Sequence, residues 1–513
     1  MCIRNLPLML VSLLASGTLL IPTVSKPQIA APISGQAKSP TNLGGQMPPS
    51  LDQEVGRVVA ELDRIEANTL SQMKHTTLDR QGQMRTLGKL LLFDKHLSVN
   101  QNEACSFCHT PETGFTGPIQ SLNETTVSYP GSVRTRFSNR KPQSYMYAPF
   151  SPVLHYNVLQ GDFVGGNFWD MRASGYRLQN PSAEQAQGPP TNPVEMGLPD
   201  SACVAYRLSQ APYRKLFETV WGPDSFNIRW PADVEKVCAT PGPPPENDQH
   251  PVHLSAAGRA RADHVYDEFG LAISAYEFSP EVSPFTSKYD YVQAGKVQFA
   301  PQEKLGYELF RGKARCNECH RDGGPGEEPL FTDFTASNLG VPRNPGLQFY
   351  YEGRADQRGY TPSVAGKIAG AGYVDTGVGF FLRTLQSDSG QLNPDSGWIK
   401  LAPKFDGKIQ VPTLRNVDMR PTPDFVKAYM HNGYFKSLKE VVHFYNTRDV
   451  LPRCRPGEPG EKVTCWPAPE EPTNVNERQL GSLGLTDAEE DAIVAFLKTL
   501  TDGYKVPGPN ATK

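Results

Sequence analysis

The chain has 513 residues, enough for two or three domains, and its 54 acidic and 51 basic residues leave a formal net charge of −3. This near balance excludes a nucleic-acid-binding protein that works through a large basic surface. Hydrophobic residues make up 38% of the chain, while 45 glycines and 47 prolines predict many loops. We therefore expect a mostly α fold with long loops and little β structure.

The N-terminus has the residue order of a secretory signal peptide. Arg4 precedes an apolar stretch from Leu6 to about Val24, and a polar, Pro-rich run follows. We assign residues 1–26 to this signal, although the same stretch is long enough to stay in place as an N-terminal membrane anchor. No clean cleavage motif decides between the two.

Residues 27–80 are predicted to form a linker followed by a leading helix. The first part, up to about residue 50, is rich in Pro, Gly, Ser and Gln, which is typical of a flexible linker. From Leu51 to about Leu70, apolar residues recur at helical spacing, namely Val55, Val58, Val59 and Leu62.

The next part of the chain contains an internal repeat around two cysteine motifs. LGKLLLF (87–93) precedes the first motif and GFTG (114–117) follows it. LGYELFRG (305–312) precedes the second motif and LFTD (330–333) follows it. A repeat of this kind predicts two related domains. We place these domains at residues 81–297, with a Pro-rich insertion near 200–255, and at residues 298–513.

One long helix is predicted at the end of each domain. In the first domain, apolar residues recur at helical spacing from about Ser255 to Tyr276. In the second, Thr486 and Glu489 form a capping-box signal, and Gly503 is expected to stop the helix that follows.

Both cysteine motifs, ACSFCH (104–109) and RCNECH (315–320), have the form C-x-x-C-H. Thiols three residues apart lie on one side of a helical turn, where both can add to one porphyrin while the adjacent histidine faces the iron. A zinc site would need more ligands at finger-like spacing, and a redox C-x-x-C does not require the histidine. The motifs therefore predict two covalent haems, one held by Cys105, Cys108 and His109, and one by Cys316, Cys319 and His320.

Four further cysteines fall into two local pairs, Cys203 with Cys238 and Cys454 with Cys465. In an oxidising compartment these pairs are expected to form disulfides, and the alternative is four free thiols.

Beyond the haem motifs, the chain resembles the bacterial di-haem cytochrome c peroxidases and their relative MauG, over about residues 80–200 and 260–505. The resemblance rests on the following motifs in combination with the two haem motifs: LGKLLLFDKHLS, GFTG, FWDMRA, EQAQGPPTNPVEMG, VPTLRN, YMHNG and SLKEVVHFYN. It implies two cytochrome c-like domains in a periplasmic enzyme. It also implies hydrogen peroxide as substrate and an electron-donor protein, such as a small cytochrome c or a copper protein. Nothing in it implies a nucleic acid, and a membrane is involved only if the N-terminal segment is uncleaved.

The resemblance also implies a division of roles between the two haems. The N-terminal haem has an open face that binds peroxide, the C-terminal haem receives or stores electrons, and Trp169 couples the two. Gln185 and Glu195 fall at the peroxide-pocket positions, where a carboxylate can move a proton between the peroxide oxygens and an amide can orient them. Two plainer interpretations stay open: Trp169 as a core aromatic and Glu195 as a solvated loop residue.

At other positions the chain departs from the family pattern. His155 is the one histidine between His109 and Trp169, and it is a candidate for the ligand that blocks the first iron in many relatives. The resemblance also implies a calcium ion between the domains. However, Tyr147 stands where an Asn is expected, and VKAYMH (426–431) replaces the usual Thr-x-Pro.

The sixth ligand of the second haem is the most informative departure. The resemblance places a Met in the peroxidases, or a Tyr in MauG, on the helix after His431, and this chain has Tyr445 there. A phenolate is hard and anionic and favours oxidised iron, whereas a thioether favours ferrous iron. Met430 and Met419 are the other candidates, and Tyr445 could also simply pack at the haem edge.

The leading interpretation is a di-haem peroxidase that reduces hydrogen peroxide with electrons from an external donor. A MauG-like oxidase that uses peroxide to oxidise an external substrate, such as a protein, is the first alternative. A non-enzymatic electron-transfer cytochrome is the second.

Overall fold

α-Helices provide most of the regular structure in the computed structural model, which describes residues 49–75, 77–324, 326–364, 367–385 and 397–507. The mostly α prediction is confirmed. The predicted signal peptide and most of the predicted linker lie outside the described residues. The helices are α1 (Pro49–His75), α2 (Arg80–Phe93), α3 (Gln120–Glu124), α4 (Pro181–Ala186), α5 (Gly188–Thr191), α6 (Ala202–Gln210), α7 (Arg214–Trp221), α8 (Val234–Cys238), α9 (Ala256–Glu277), α10 (Lys288–Gln293), α11 (Pro301–Arg311), α12 (Gly377–Thr384), α13 (Leu438–Thr447) and α14 (Asp487–Lys498).

The β structure consists of three short antiparallel pairs. Two are hairpins between consecutive strands, and the third pairs strands far apart in the chain. The pairs are β1 (His155–Asn157) with β2 (Asp162–Val164), β4 (Ser363–Val364) with β5 (Lys367–Ile368), and β3 (Ala336–Ser337) with β6 (Ile409–Gln410).

The three long predicted helices are present, and α14 begins at its predicted capping box, while α9 begins at the predicted start, where Ser255 is its N-cap. The Ser255 hydroxyl accepts from the Gly258 N–H at the start of α9. Thr486 and Glu489 form the reciprocal capping box of α14. The predicted stop at Gly503 is wrong, because α14 ends at Lys498. There the chain leaves the helix and the Leu500 carbonyl accepts from the Asn416 N–H.

The internal repeat has a matching helix crossing in each half. α2 packs on α9, and α11 packs on α14. A Cβ added at Gly88 of α2 would lie 1.9 Å from the Ala272 carbonyl oxygen, and one added at Gly306 of α11 would lie 1.9 Å from that of Ala492. The partner helices carry the related sequences AISAY and AIVAF, beginning at these two alanines.

Two main hydrophobic cores accompany these crossings. The first is built from buried residues between Leu51 and Val282, and the second from residues between Tyr289 and Leu500. The two cores occur along the chain in the same order as the two predicted haem domains. The domain boundary between residues 297 and 298 stays a prediction. The described residues all fall in one compact unit.

The predicted Pro-rich insertion near 200–255 contributes to the first core. It contains α6, α7 and α8, and the Cys203–Cys238 disulfide joins α6 to the end of α8. The second predicted disulfide, Cys454–Cys465, is also formed. Within the described ranges, no helix is both long enough and apolar enough to cross a membrane.

The helix crossings generate a stability prediction. Gly306→Ala should lower the free energy of unfolding by about 1–3 kcal/mol, because the new methyl group forces α11 away from the Ala492 carbonyl. Urea denaturation of the holoprotein measures this change. Gly56→Ala in α1 is the matched control, since its Cβ meets nothing within 4 Å. That variant should gain up to about 1 kcal/mol from helix propensity. Equal stability of the two variants would contradict the close crossing.

Candidate active site

Both C-x-x-C-H motifs fold into a short 3-10 turn directly after the first helix of their half. The turns span Cys105–Phe107, which follows α2, and Cys316–Glu318, which follows α11. The motif cysteines Cys105, Cys108, Cys316 and Cys319 are free thiols. Two thiols on one turn are therefore available to each cavity, as the motif spacing predicts.

The two motif histidines are held in the same way. Nδ1 of His109 lies 2.9 Å from the Phe115 carbonyl oxygen, and Nδ1 of His320 lies 3.0 Å from that of Phe331. Both phenylalanines adopt a left-handed backbone conformation (φ 52° and 54°), which aims these carbonyls at the rings. Burial lowers the pKa of His109 to about 4, and it lowers the pKa of His320 as well. Neutral rings with Nδ1–H donating leave Nε2 for a metal, so both sites fit a haem iron.

Two cavities lie next to these motifs, and the predicted site residues line them. The first, of about 260 Å³, is lined by Cys105, Cys108, His109, Gln185 and Glu195. The second, of about 180 Å³, is lined by Cys316, Cys319, His320 and Tyr445. Trp169 lines both cavities. The structure thus brings every predicted site residue to the cavity expected for it.

Glu195 is held inside the first cavity. The Asn192 amide donates to its Oε1 at 2.7 Å. Burial raises the pKa of the Glu195 carboxyl, and the positive charge of Arg172 opposes this rise. Glu195 is half-buried in its loop and faces the first cavity. Gln185, on α4, has no hydrogen bond to its side-chain amide among the described residues, which leaves the amide available to a ligand.

The loop that carries Trp169 is fixed by two consecutive residues that the sequence analysis did not single out. The Lys141 carbonyl accepts from the indole Nε1–H at 3.0 Å, and the Lys141 N–H donates to the His431 carbonyl at 2.8 Å. The Arg140 guanidinium donates to Asp170 at 2.7 Å and to both oxygens of Asp375 at 2.6 and 2.7 Å.

All three members of this ion-pair cluster are buried. The Arg140 charge, followed by further hydrogen bonds, holds the pKa of the Asp375 carboxyl below its usual range despite the burial. The cluster ties the segment after the first haem motif to the rim of the second cavity. No local sequence signal identifies it, because Arg140 and Asp375 are far apart in the chain.

Tyr445 projects from α13 into the second cavity. Burial raises the pKa of its phenol, and its hydroxyl has no hydrogen-bond partner in the part of the chain that the structure describes. Met430 lines both cavities, whereas Met419 packs against the first core. His155 is exposed on β1 and is not among the residues that line the first cavity.

A second buried carboxyl, which the sequence analysis missed, lines the first cavity. Glu277 lies at the end of α9 and accepts a hydrogen bond from the Ser182 hydroxyl. Burial raises its pKa to about 8, so at neutral pH the carboxyl is mostly protonated. Glu277 directly follows the predicted helix, which ended at Tyr276, and no sequence signal identified it.

Comparisons with known proteins agree with this geometry. A family model described as di-haem cytochrome c peroxidase matches residues 82–298. The methylamine utilization protein MauG of Paracoccus denitrificans is 32% identical over 426 residues, covering 82% of this chain and 88% of the relative. The cytochrome-c peroxidase IdrP1 of Denitromonas iodatirespirans is 26% identical over 437 residues, covering 82% and 84%.

Among solved structures, the chain is similar to the diheme peroxidase BthA of Burkholderia thailandensis and to a tyrosine-to-methionine variant of that protein. The TM-scores are 0.59 and 0.60 at 25% identity. Each alignment covers 83% of this chain and 90% of the other.

The ion-pair cluster at Trp169 generates a second prediction. Arg140→Met should cost about 3–5 kcal/mol of unfolding free energy, because it leaves Asp375 as a buried carboxylate without its cation, while Asp170 keeps its ion pair with Arg172. Chemical denaturation of the holoprotein measures this loss. Arg383→Met removes an ion pair whose arginine side chain is 43% exposed. That control should cost no more than about 1 kcal/mol, and a similar loss in both variants would count against the cluster.

Proposed function

We propose a specific division of labour between the two cavities of this chain, which belongs to the family of di-haem cytochrome c peroxidases and MauG. The chain is a haem peroxidase enzyme with two haem groups, and it acts on hydrogen peroxide together with redox partner proteins. In our proposal both haems are covalently attached at the four motif cysteines. His109 and His320 are their iron ligands. We place the enzyme in the periplasm, with a small cytochrome c or copper protein as donor.

The first cavity is the proposed site of peroxide reduction. Hydrogen peroxide takes up two electrons and two protons and leaves as two water molecules. Cys105, Cys108 and His109 would hold the haem whose chemistry would provide the electrons. The chain supplies the proton transfer, because Glu195 can take a proton from one peroxide oxygen and return it to the other. Gln185, with its free amide, orients the peroxide. The observation that carries this assignment is that Glu195 and Gln185 line the same cavity as His109.

Trp169 is proposed to carry electrons between the two haems. Its indole lines both cavities and is fixed by the hydrogen bond to the Lys141 carbonyl. A purely structural aromatic would satisfy the same packing. The coupling role is favoured because Trp169 lines both cavities, a place it shares among the aromatic residues with Tyr429, and because the family resemblance points to the tryptophan.

Tyr445 favours a second candidate function, a MauG-like oxidase that uses peroxide to oxidise an external substrate. A phenolate ligand would stabilise oxidised iron at the second site, which then stores oxidising equivalents. The free hydroxyl of Tyr445 in the second cavity supports this assignment. Met430 also lines that cavity, so a methionine ligand is the competing assignment, and it would favour the plain peroxidase.

Glu195 gives the direct test of the peroxidase proposal. Glu195→Gln should keep both haems, verified by mass spectrometry, but slow the reaction with peroxide by about 10²–10⁴-fold in stopped-flow measurements. The wild-type rate should also fall on acidification, because only the carboxylate accepts a proton. Since burial raises the pKa of Glu195, this fall should occur above the range of an ordinary glutamate.

The matched control is Glu308→Gln, which changes a glutamate whose side chain is 61% exposed on α11. It should react with peroxide at the wild-type rate. A Glu195→Gln variant as fast as this control would remove Glu195 from the reaction.

Tyr445 and Met430 are distinguished by spectra and reduction potentials. If the phenolate binds the second iron, Tyr445→Phe should alter the absorption spectrum of that haem and raise its potential, while Met430→Leu changes neither. Tyr434→Phe is the control, since its hydroxyl bonds to Glu461 and lies outside both cavity linings. The reverse pattern, with an effect only from Met430→Leu, would favour the plain peroxidase over the MauG-like oxidase.

A further inference from the structure

A lysine ammonium occupies a cage of main-chain carbonyl oxygens at the wall of the first cavity. Lys427 is 5% exposed. Its Nζ donates to the Met419 carbonyl at 2.7 Å, to the Thr113 carbonyl at 2.9 Å and, more weakly, to the Asn416 carbonyl at 3.5 Å. Three N–H groups and three carbonyl acceptors match the hydrogen-bonding capacity of a protonated lysine.

The three carbonyls come from both haem segments. Thr113 lies in the short 3-10 turn that follows His109. Asn416 lines the first cavity, and the strip 411–414 that precedes it lines both cavities. One ammonium therefore links the chain just beyond the first haem motif to the segment that runs along both cavities.

Carbonyl oxygens converging on one point are the ligands that hard cations take in proteins. The family resemblance implies a calcium ion between the haem domains, and its expected Thr-x-Pro ligands are replaced here by the segment that contains Lys427. The residues present do not fit a divalent metal, because the ammonium already uses the carbonyls. Among the described residues, no cluster of three acidic, His or Cys side chains could hold a metal ion either.

The charges around Lys427 also oppose a metal ion. Lys141 and Arg420 act on it as neighbouring cations, and Asp418 is the one carboxylate that offsets them. Burial, together with these two cations, lowers the pKa of Lys427 well below its usual range. The three carbonyl acceptors act in the opposite direction, because only the protonated amine has three N–H groups to donate to them. The same positive surroundings would repel a divalent ion more strongly than a single ammonium.

The lysine cage connects to the loop of Trp169 through a second buried lysine. The Thr113 hydroxyl donates to the Thr116 carbonyl at 2.5 Å, and Nζ of Lys141 donates to the Thr116 hydroxyl at 2.8 Å. The Lys141 carbonyl in turn accepts from the Trp169 indole. A displacement of Thr113 would therefore be transmitted through these contacts to the hydrogen bond that orients the Trp169 ring.

We propose that the Lys427 ammonium is a built-in cation that replaces a metal ion between the two haem segments and positions Trp169. The consequence is an enzyme whose haem-to-haem geometry needs no calcium. Lys427 is a positioning residue in this proposal, since it acts through the Thr113–Lys141 contacts and touches neither peroxide nor iron.

Chelation of the wild-type holoprotein is the first test. After dialysis against EGTA, elemental analysis should find calcium far below one ion per chain. The haem spectra, both reduction potentials and the peroxide rate should stay the same with and without added Ca²⁺. A potential or rate that changes on chelation and is restored by Ca²⁺ would overturn the proposal, and this test requires no variant to fold.

Lys427→Met is the second test. It should keep both haems but slow electron transfer between them by about tenfold or more, since small displacements of a coupling group are costly. It should also shift the reduction potential of the first haem. Lys215→Met, which alters a side chain that is 87% exposed on α7, should leave both quantities at their wild-type values.

If Lys427→Met has the same rate of electron transfer between the haems and the same reduction potentials as Lys215→Met, Lys427 is only a packing residue. That result would overturn the positioning role. Metal content and potentials are measured without peroxide turnover. Failure of the proposed peroxidase reaction and failure of the lysine cage are therefore distinguishable.

Discussion

The buried guanidinium of Arg140, shared between Asp170 and Asp375, is the interaction on which the site geometry depends. Asp170 directly follows Trp169 in the chain. The residue after Arg140 is Lys141, and its carbonyl oxygen accepts from the indole N–H of Trp169. A charge cluster of this kind gains little net stability over an apolar core, but it permits one arrangement of its partners. The position of the ring between the two cavities is thus set by charge pairing and hydrogen bonding, with hydrophobic packing second.

The two halves share their haem-facing machinery and differ in what they place across the cavity. In each half, a glycine lets two helices cross closely, a cysteine turn follows, and a left-handed phenylalanine directs its carbonyl to the histidine. The first cavity adds an acid and an amide, and the second adds a phenol. The chemical asymmetry proposed for the enzyme therefore comes from α4, from the loop of Glu195 and from α13, outside the repeated framework.

Features encoded by neighbouring residues were predictable from the sequence. The haem motifs and the Thr486 capping box depend on short spacings, and the two disulfides join cysteines 35 and 11 residues apart. The placing of Gln185 and Glu195 followed from family resemblance. Contacts between distant segments left no such signal. In the sequence, Arg140 and Lys141 look like solvated loop residues, and only the folded structure shows their contacts with Asp375 and Trp169. Lys427 was noticed only as part of VKAYMH, the segment that replaces the Thr-x-Pro of the family. The misplaced end of α14 has the same origin, since a pairing with Asn416 ends the helix before Gly503.

The carbonyl partners of His109 and His320 have an electronic consequence. A carboxylate at Nδ1 would give the imidazole imidazolate character and make it a stronger donor to iron, whereas a neutral amide carbonyl does so only weakly. If His109 and His320 ligate the two irons as proposed, both are therefore modest donors. A large difference in reduction potential between the two haems would then come from their distal sides and from their exposure to solvent, so exchanging distal residues between the halves should exchange the electronic character of the haems.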